Sequence, residues 1–138
     1  MNPENDSLEN LITFIGQYAV EYFSDSSIRV RFHAPTEVPP TPVSAALRKN
    51  IFLAVKEALN NVLKHSGAPE VIIDIEFEQR LLRIVITDKG KGLGNSQQPN
   101  SGNGLKNMAE RMRSVSGRFE IGPASSGLGT AILLEAKI

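Results

Sequence analysis

The sequence predicts an α+β fold, a two-layer α/β sandwich in which three helices lie on one face of a mixed sheet of about five strands. Three segments place apolar residues at three- and four-residue steps, as helices do, and five shorter segments alternate apolar and polar residues, as strands do. The two kinds of segment do not alternate regularly along the chain, which disfavours a doubly wound parallel sheet. The length of 138 residues predicts a single domain over residues 1–138.

The composition excludes several classes of protein. Hydrophobic residues make up 41% of the chain and charged residues 22%, as in ordinary globular domains. Lys and Arg number 15, as do Asp and Glu, and this zero net charge disfavours a domain that coats nucleic acid or an anionic membrane. The absence of cysteine excludes disulfides, thiolate metal sites and a cysteine nucleophile. We therefore expect no nucleic-acid partner, no direct membrane contact and a cytoplasmic location, with membrane attachment of a parent protein left open.

The N-terminal part of the chain predicts a helix, a strand and an extended linker. The helix is predicted over residues 8–23, with Asp6 and Glu9 forming a capping box at its start. A strand is predicted over residues 28–32, where apolar residues alternate with arginines. Four prolines between residues 35 and 42 then predict an extended linker, because proline and the residue before it both disfavour helix.

The remainder of the chain predicts two helices, four strands and one long loop. A second helix over residues 44–66 is ended by Gly67, and the alternating segments 71–77 and 82–86 predict an antiparallel hairpin. The later elements are a loop rich in Gly, Asn, Ser and Gln over residues 89–103, a third helix over 105–115, and strands over 118–121 and 130–138. A loop of that length in a compact domain is typical of a lid or a binding loop.

Several common catalytic motifs are missing from the sequence. It contains no G-x-x-x-x-G-K-[ST] loop, no G-x-G-x-x-G turn and no G-x-S-x-G elbow. A histidine-rich metal site is excluded because the chain has only two histidines.

Four polar or glycine-rich segments carry the candidate chemistry: residues 57–65, 88–94, 102–105 and 127–130. Each alone is weakly specific, since the first fits a solvated helix face and the others fit turns. In an α-helix Glu57, Asn61 and Lys64 would lie within about 60° of one another. The adjacent Asn60 and Asn61 are costly in the middle of a helix, which suggests a role other than solvation. Glycines before a helix start, as in the third segment, expose backbone N–H groups to an anion.

In this order the segments resemble the N, G1 and G2 boxes of the GHKL ATPase superfamily, which comprises sensor histidine kinases, gyrase-type topoisomerases, a class of heat-shock chaperones and mismatch-repair ATPases. The stretch KEALNNVLKHSGA resembles the N box of the short-lid sensor histidine kinases. GNGLKNMAERM resembles the G2 box and the helix behind it, and GLGTAILLEAKI resembles the closing strand. The chain, from residue 8 onward, thus resembles the catalytic ATP-binding domain of a two-component sensor histidine kinase.

The resemblance implies an adenine site built around Asp88. Its carboxylate would accept a hydrogen bond from the exocyclic amine of adenine, and would repel the O6 acceptor of guanine. Gly90 and Gly92 would let the backbone approach the base, and the hydroxyl of Thr130 would complete the contact, usually through water. The loop over residues 89–103 would be the ATP lid.

The resemblance also implies a phosphate and magnesium site. Asn61 would offer its amide oxygen to Mg²⁺, which needs few protein ligands when phosphates supply the rest. Glu57 would orient a metal-bound water or act as a base, and Lys64 would neutralise phosphate charge. The β- and γ-phosphates would be held by the glycines and first N–H groups of the third helix, at Gly102, Gly104 and Leu105.

The implied function is transfer of the γ-phosphoryl group of Mg–ATP to a histidine on a dimerisation domain, with a response regulator as the indirect partner. No acceptor-histidine segment precedes residue 8, so we expect the acceptor on another chain or on a missing segment. His65 is expected to be structural rather than a phosphoacceptor, because it lies in the nucleotide-binding segment itself. Two alternatives stay open: an anti-sigma-type serine kinase that sequesters a partner, and a non-catalytic ATP-binding interaction module. The presence of both Glu57 and Asn61 disfavours the second.

Overall fold

The computed structural model describes residues 7–90, 102–124 and 129–138. Its elements, in chain order, are α1 (Leu8–Tyr22), β1 (Arg29–His33), α2 (Ala45–Asn61), a π-helical turn (Val62–Ser66), β2 (Glu70–Glu78), β3 (Leu81–Asp88), α3 (Gly102–Ser114), β4 (Arg118–Pro123) and β5 (Thr130–Lys137). The predicted α+β fold with three α-helices and five strands is therefore confirmed in the described part of the chain. Within that part, no helix combines the length and the apolar character needed to cross a membrane.

The five strands form one mixed sheet in the order β1-β2-β3-β5-β4. β1 pairs in parallel with β2, and every other pair is antiparallel. β2 and β3 form the predicted hairpin, whose turn residues Gln79 and Arg80 have φ angles of 55° and 66°, as a type I′ turn requires. The register places Asp88 at the end of β3, directly opposite Thr130 at the start of β5.

The hydrophobic core lies between the helices and the facing side of the sheet. Alternate residues of β2 and β3 are buried, whereas those between them are half-buried or exposed. Leu11 and Ile15 of α1 and Ile51 and Leu59 of α2 are at most 1% exposed and belong to the same buried cluster. Because burying one such side chain contributes about 1.5–3 kcal/mol, this shared core fixes the helices on the sheet.

α1 begins at Leu8 as predicted, but its N-cap is one residue later than predicted. Its N-cap is Ser7, whose hydroxyl accepts a hydrogen bond from the N–H of Asn10 at 3.1 Å. The prediction that Asp6 caps this helix is therefore wrong, and Asp6 itself lies outside the described residues. Ser7 has extended backbone angles, which direct its side chain over the first turn as an N-cap requires.

The second predicted helix is divided into two kinds of helix. It begins after Ser44, whose hydroxyl caps the N–H of Leu47 at 3.1 Å. The α geometry ends at Asn61 and a π-helical turn continues to residue 66. Gly67 then ends the turn with a left-handed φ of 61°, which glycine adopts without steric cost.

The third helix begins at Gly102, three residues earlier than predicted, so that Gly104 lies inside its first turn. α3 packs along α2, where its side chains Met108 and Met112 are at most 1% exposed. The guanidinium of Arg111 donates to the side-chain oxygen of Asn50 on α2 at 3.4 Å. These contacts hold the start of α3 near the C-terminal end of α2.

Gly117, between α3 and β4, provides a test of how closely this connection packs against α3 and β5. A methyl group there would lie 2.5 Å from the backbone oxygen of Glu135 and 3.1 Å from that of Met112. Gly117→Ala should therefore lower the free energy of unfolding by about 1–3 kcal/mol in urea denaturation. Gly122→Ala is the matched control, because no described atom lies within 4 Å of a methyl group at that position. A Gly117→Ala variant as stable as the control would contradict the packing.

Candidate functional site

A buried carboxylate lies where β3 ends. Asp88 is 6% exposed, and its Oδ1 accepts a hydrogen bond from the N–H of Gly90 at 2.9 Å. Thr130, its partner across the β3–β5 pairing, is 8% exposed. The structure thus brings Thr130 next to Asp88 and Gly90, which lie on a different segment of the sequence.

Burial raises the pKa of Asp88 above its ordinary value, because a poorly solvated environment disfavours the charged form. The backbone N–H groups of Gly90 and Thr130 donate to the carboxylate, which lowers the pKa and offsets burial only in part. A carboxylate has about four lone-pair positions, so these two N–H groups leave it able to accept a further hydrogen bond. Asp88 is therefore suited to accepting a hydrogen bond from a donor group on a ligand.

Gly129 is a site residue that sequence analysis did not single out. Its φ is +91°, and a methyl group there would lie 1.9 Å from the backbone oxygen of Asp88. Only glycine allows β5 to begin directly against the end of β3. The available signal was its position immediately before Thr130, but the close approach to Asp88 depends on the β3–β5 pairing.

The second part of the site lies between α2 and the first turn of α3. A methyl group at Gly104 would lie 3.2 Å from Oε1 of Glu57 and 3.5 Å from Oδ1 of Asn61. Glu57 and Asn61 therefore face the same space, one helical turn apart on α2. The first N–H groups of a helix lack partners within it and carry partial positive charge, which suits them to an anion. The side-chain oxygens of Glu57 and Asn61 therefore lie next to N–H groups that could bind an anion.

Lys64 lies exposed in the π-helical turn that follows Asn61. Its predicted position beside Glu57 assumed the α-helical rotation of 100° per residue, and the structure replaces that geometry from Val62 onward. The contact of Lys64 with a phosphate stays a prediction.

The remaining predicted residues fall into two groups. Gly102 opens α3, and the side chain of Leu105 is half-buried in its first turn against the core. Gly92, most of the predicted lid and the side chain of His65 lie outside what the structure describes.

The chemistry of these donors suits magnesium. Among residues 7–90, 102–124 and 129–138, no three His, Cys, Asp or Glu side chains lie close enough together to hold a metal ion by themselves. Next to Gly104 the donors are the amide oxygen of Asn61 and the carboxylate of Glu57. Mg²⁺ prefers oxygen ligands and commonly takes only one or two from protein, with phosphates and water completing its shell.

A buried carboxylate at a strand end and the oxygen atoms beside the start of α3 form a candidate nucleotide site. Comparison with known proteins shows the family of the chain. Residues 46–137 match the model of the histidine kinase-, DNA gyrase B-, and HSP90-like ATPases. The chain belongs to this family, because the match covers well over half of its length.

Within this family, the similar proteins described below are histidine kinases or domains of them. Sensor histidine kinase LiaS of Bacillus subtilis is 32% identical over 102 residues, covering 74% of this chain and 28% of LiaS. The histidine kinase domain of the blue-light activated kinase from Erythrobacter litoralis EL346 has a TM-score of 0.73 at 22% identity, covering 92% of this chain and 60% of that one. The catalytic domain of histidine kinase ThkA has a TM-score of 0.74 at 15% identity, covering 95% and 93%. The chain thus has the fold of histidine kinase catalytic domains, and it spans about three tenths of the length of its curated relatives.

The raised pKa of Asp88 predicts that this residue lowers the free energy of unfolding by an amount that depends on pH. Since its folded-state pKa is raised, its ionised form destabilises the native state, and this cost disappears as pH falls below the ordinary value of 3.8. Asp88→Asn should therefore have a higher free energy of unfolding than the wild type near neutral pH, and the difference should shrink towards about pH 4. Urea denaturation across this range measures both effects. A wild type more stable than the variant near neutral pH would rule out this origin of the raised pKa.

Proposed function

We propose that this chain, as one domain over residues 1–138, is the catalytic ATP-binding domain of a sensor histidine kinase. It binds Mg–ATP and transfers the γ-phosphoryl group to a histidine on the dimerisation domain of the parent kinase, from which a response regulator receives it. Such a kinase uses cellular ATP and would act in the cytoplasm. The main support is the meeting of Glu57 and Asn61 with the start of α3 at Gly104.

The adenine end of ATP would bind at Asp88. The exocyclic amine donates to the free lone pairs of the carboxylate, while Gly90 and Gly92 would let the backbone approach the base. Thr130 supplies a hydroxyl from the neighbouring strand. Guanine would present an acceptor to the same carboxylate and would be repelled, so the site selects adenine.

The phosphates would lie at the start of α3. The unpaired N–H groups of its first turn, at Gly102 and Gly104, would donate to phosphate oxygens, and Lys64 would add a positive charge from the π-helical turn. Asn61 would hold Mg²⁺ through its amide oxygen beside the Glu57 carboxylate. When bound, the ion would neutralise charge that develops on the phosphates.

The transfer step forms a bond between an imidazole nitrogen of the acceptor and Pγ, while the bond from Pγ to the β–γ bridging oxygen breaks. ADP leaves with that electron pair, and the phosphorylated imidazole then loses its remaining N–H proton to a base. Glu57 is the carboxylate on this side of the site, and it orients a water or accepts the proton. The rest of catalysis is positioning by the two helices.

Nucleotide choice tests the adenine site. The wild-type chain should bind ATP and ADP well and GTP poorly in calorimetry. Asp88→Asn keeps the shape but loses a charged acceptor, so ATP affinity should fall roughly ten- to hundredfold. Gly122→Ala, whose added methyl group would meet no described atom within 4 Å, should bind as the wild type does. Equal affinity of the wild type for ATP and GTP would overturn the role of Asp88.

Phosphoryl transfer tests the other end of the site. The isolated chain should not label itself with γ-labelled ATP, and a dimerisation domain supplied in trans should acquire an acid-labile label. Glu57→Gln should slow this labelling while leaving ATP affinity nearly intact, whereas Asn61→Ala should weaken both. Labelling of a serine on a small partner protein would instead establish the anti-sigma-type alternative.

A further inference from the structure

The end of α1 contacts the end of α2 at Asn60, next to Asn61. The proposed function gives Asn60 no role. The phenol O–H of Tyr22 donates to the side-chain oxygen of Asn60 at 3.0 Å, in a half-buried setting. Asn60 directly precedes Asn61, the last α-helical residue before the π-helical turn. The hydrogen bond therefore attaches α1 to the point where the geometry of α2 changes.

Glu57 acts electrostatically on the same tyrosine. The pKa of Tyr22 is raised by burial first, then by Tyr18 and by the negative charge of Glu57. A phenol with a raised pKa stays protonated near neutral pH, so Tyr22 remains a hydrogen-bond donor. Oε1 of Glu57 lies 3.2 Å from the position that a methyl group at Gly104 would occupy, so the same carboxylate faces the start of α3.

Aromatic neighbours hold the ring of Tyr22 in place. Tyr18, one turn earlier on α1, stacks on it with ring centroids 5.6 Å apart. Phe23 meets it edge-to-face at 5.2 Å, and Phe52 of α2 meets Tyr18 in the same manner at 4.9 Å. A ring held on two sides keeps its hydroxyl aimed in one direction, which lowers the entropic cost of the bond to Asn60.

We propose that Tyr22 is a positioning residue, whose bond to Asn60 fixes the last turn of α2 so that Glu57 and Asn61 face α3. Asparagine side chains within helices compete for backbone hydrogen bonds and thereby favour other conformations. Engaging the oxygen of Asn60 removes this competition at the junction with the π-helical turn. The same bond accounts for an asparagine at a position where the helix alone disfavours it.

This inference rests on the proposed function, and Tyr22→Phe tests it because only the hydroxyl is lost. The affinity for Mg–ATP in calorimetry should fall roughly two- to tenfold, the effect of one neutral hydrogen bond. Affinity for adenosine, followed by NMR titration, should not change, because the adenine site at Asp88 does not involve α1. Tyr18→Phe is the matched control, since it removes a hydroxyl from the neighbouring stacked ring, and it should behave as the wild type.

A double-mutant cycle completes the test. Asn60→Ala should reproduce the loss seen in Tyr22→Phe, and the double variant should lose no more than either single variant, because both remove one interaction. Wild-type affinity in Tyr22→Phe, an equal loss for adenosine, or additive losses would each overturn the positioning role. A wild-type chain that binds adenosine but no Mg–ATP would overturn the proposed function instead, and the inference with it.

Discussion

The burial of one side of α2 against the sheet is the interaction on which the rest of the structure depends. Its apolar residues recur at helical spacing and are at most 9% exposed: Leu47, Ile51, Ala54, Val55, Ala58 and Leu59. With that side fixed on the core, the rotation of the helix about its axis is determined, and its polar side must emerge between α1 and α3. Glu57 and Asn61 therefore reach the start of α3, and Asn60 reaches Tyr22. The packing of α2 on the core thus determines the directions in which its polar side chains point.

The sheet imposes a second constraint, through strand register. Asp88 is the last residue of β3 and lies opposite Thr130, so a shift of one residue would turn its carboxylate to the other face. Register is held by the apolar residues that alternate along both strands, and the close approach at Gly129 leaves little room for slippage. The cost is a carboxyl group in a buried place, where burial raises its pKa. Such a cost is common where a protein keeps a group for a ligand rather than for its own stability.

The two ends of the site are held by different parts of the structure. Asp88 depends on the pairing of β3 with β5, whereas Glu57 and Asn61 depend on the packing of three helices. A perturbation of α1 should therefore reach the phosphate end without reaching the adenine end. Under the proposed function, this separation would let a small domain bind one ligand at two chemically distinct places. The proposed role of Tyr22 would also give α1 a part in the catalytic geometry.

Much of this protein follows from the sequence by itself. Hydrophobic periodicity is local, so it predicted three helices, five strands and the hairpin. The ordered motifs led to the prediction that Asp88, Asn61 and Glu57 are site residues. Local patterns carry no information on what approaches from elsewhere in the chain. The requirement for glycine at 129 and the bond from Tyr22 to Asn60 arise only when distant segments meet. The change from α to π geometry after Asn61 was likewise absent from a prediction that assumed constant rotation per residue. The sequence determined which chemical groups are available, and tertiary packing decided which of them face one another.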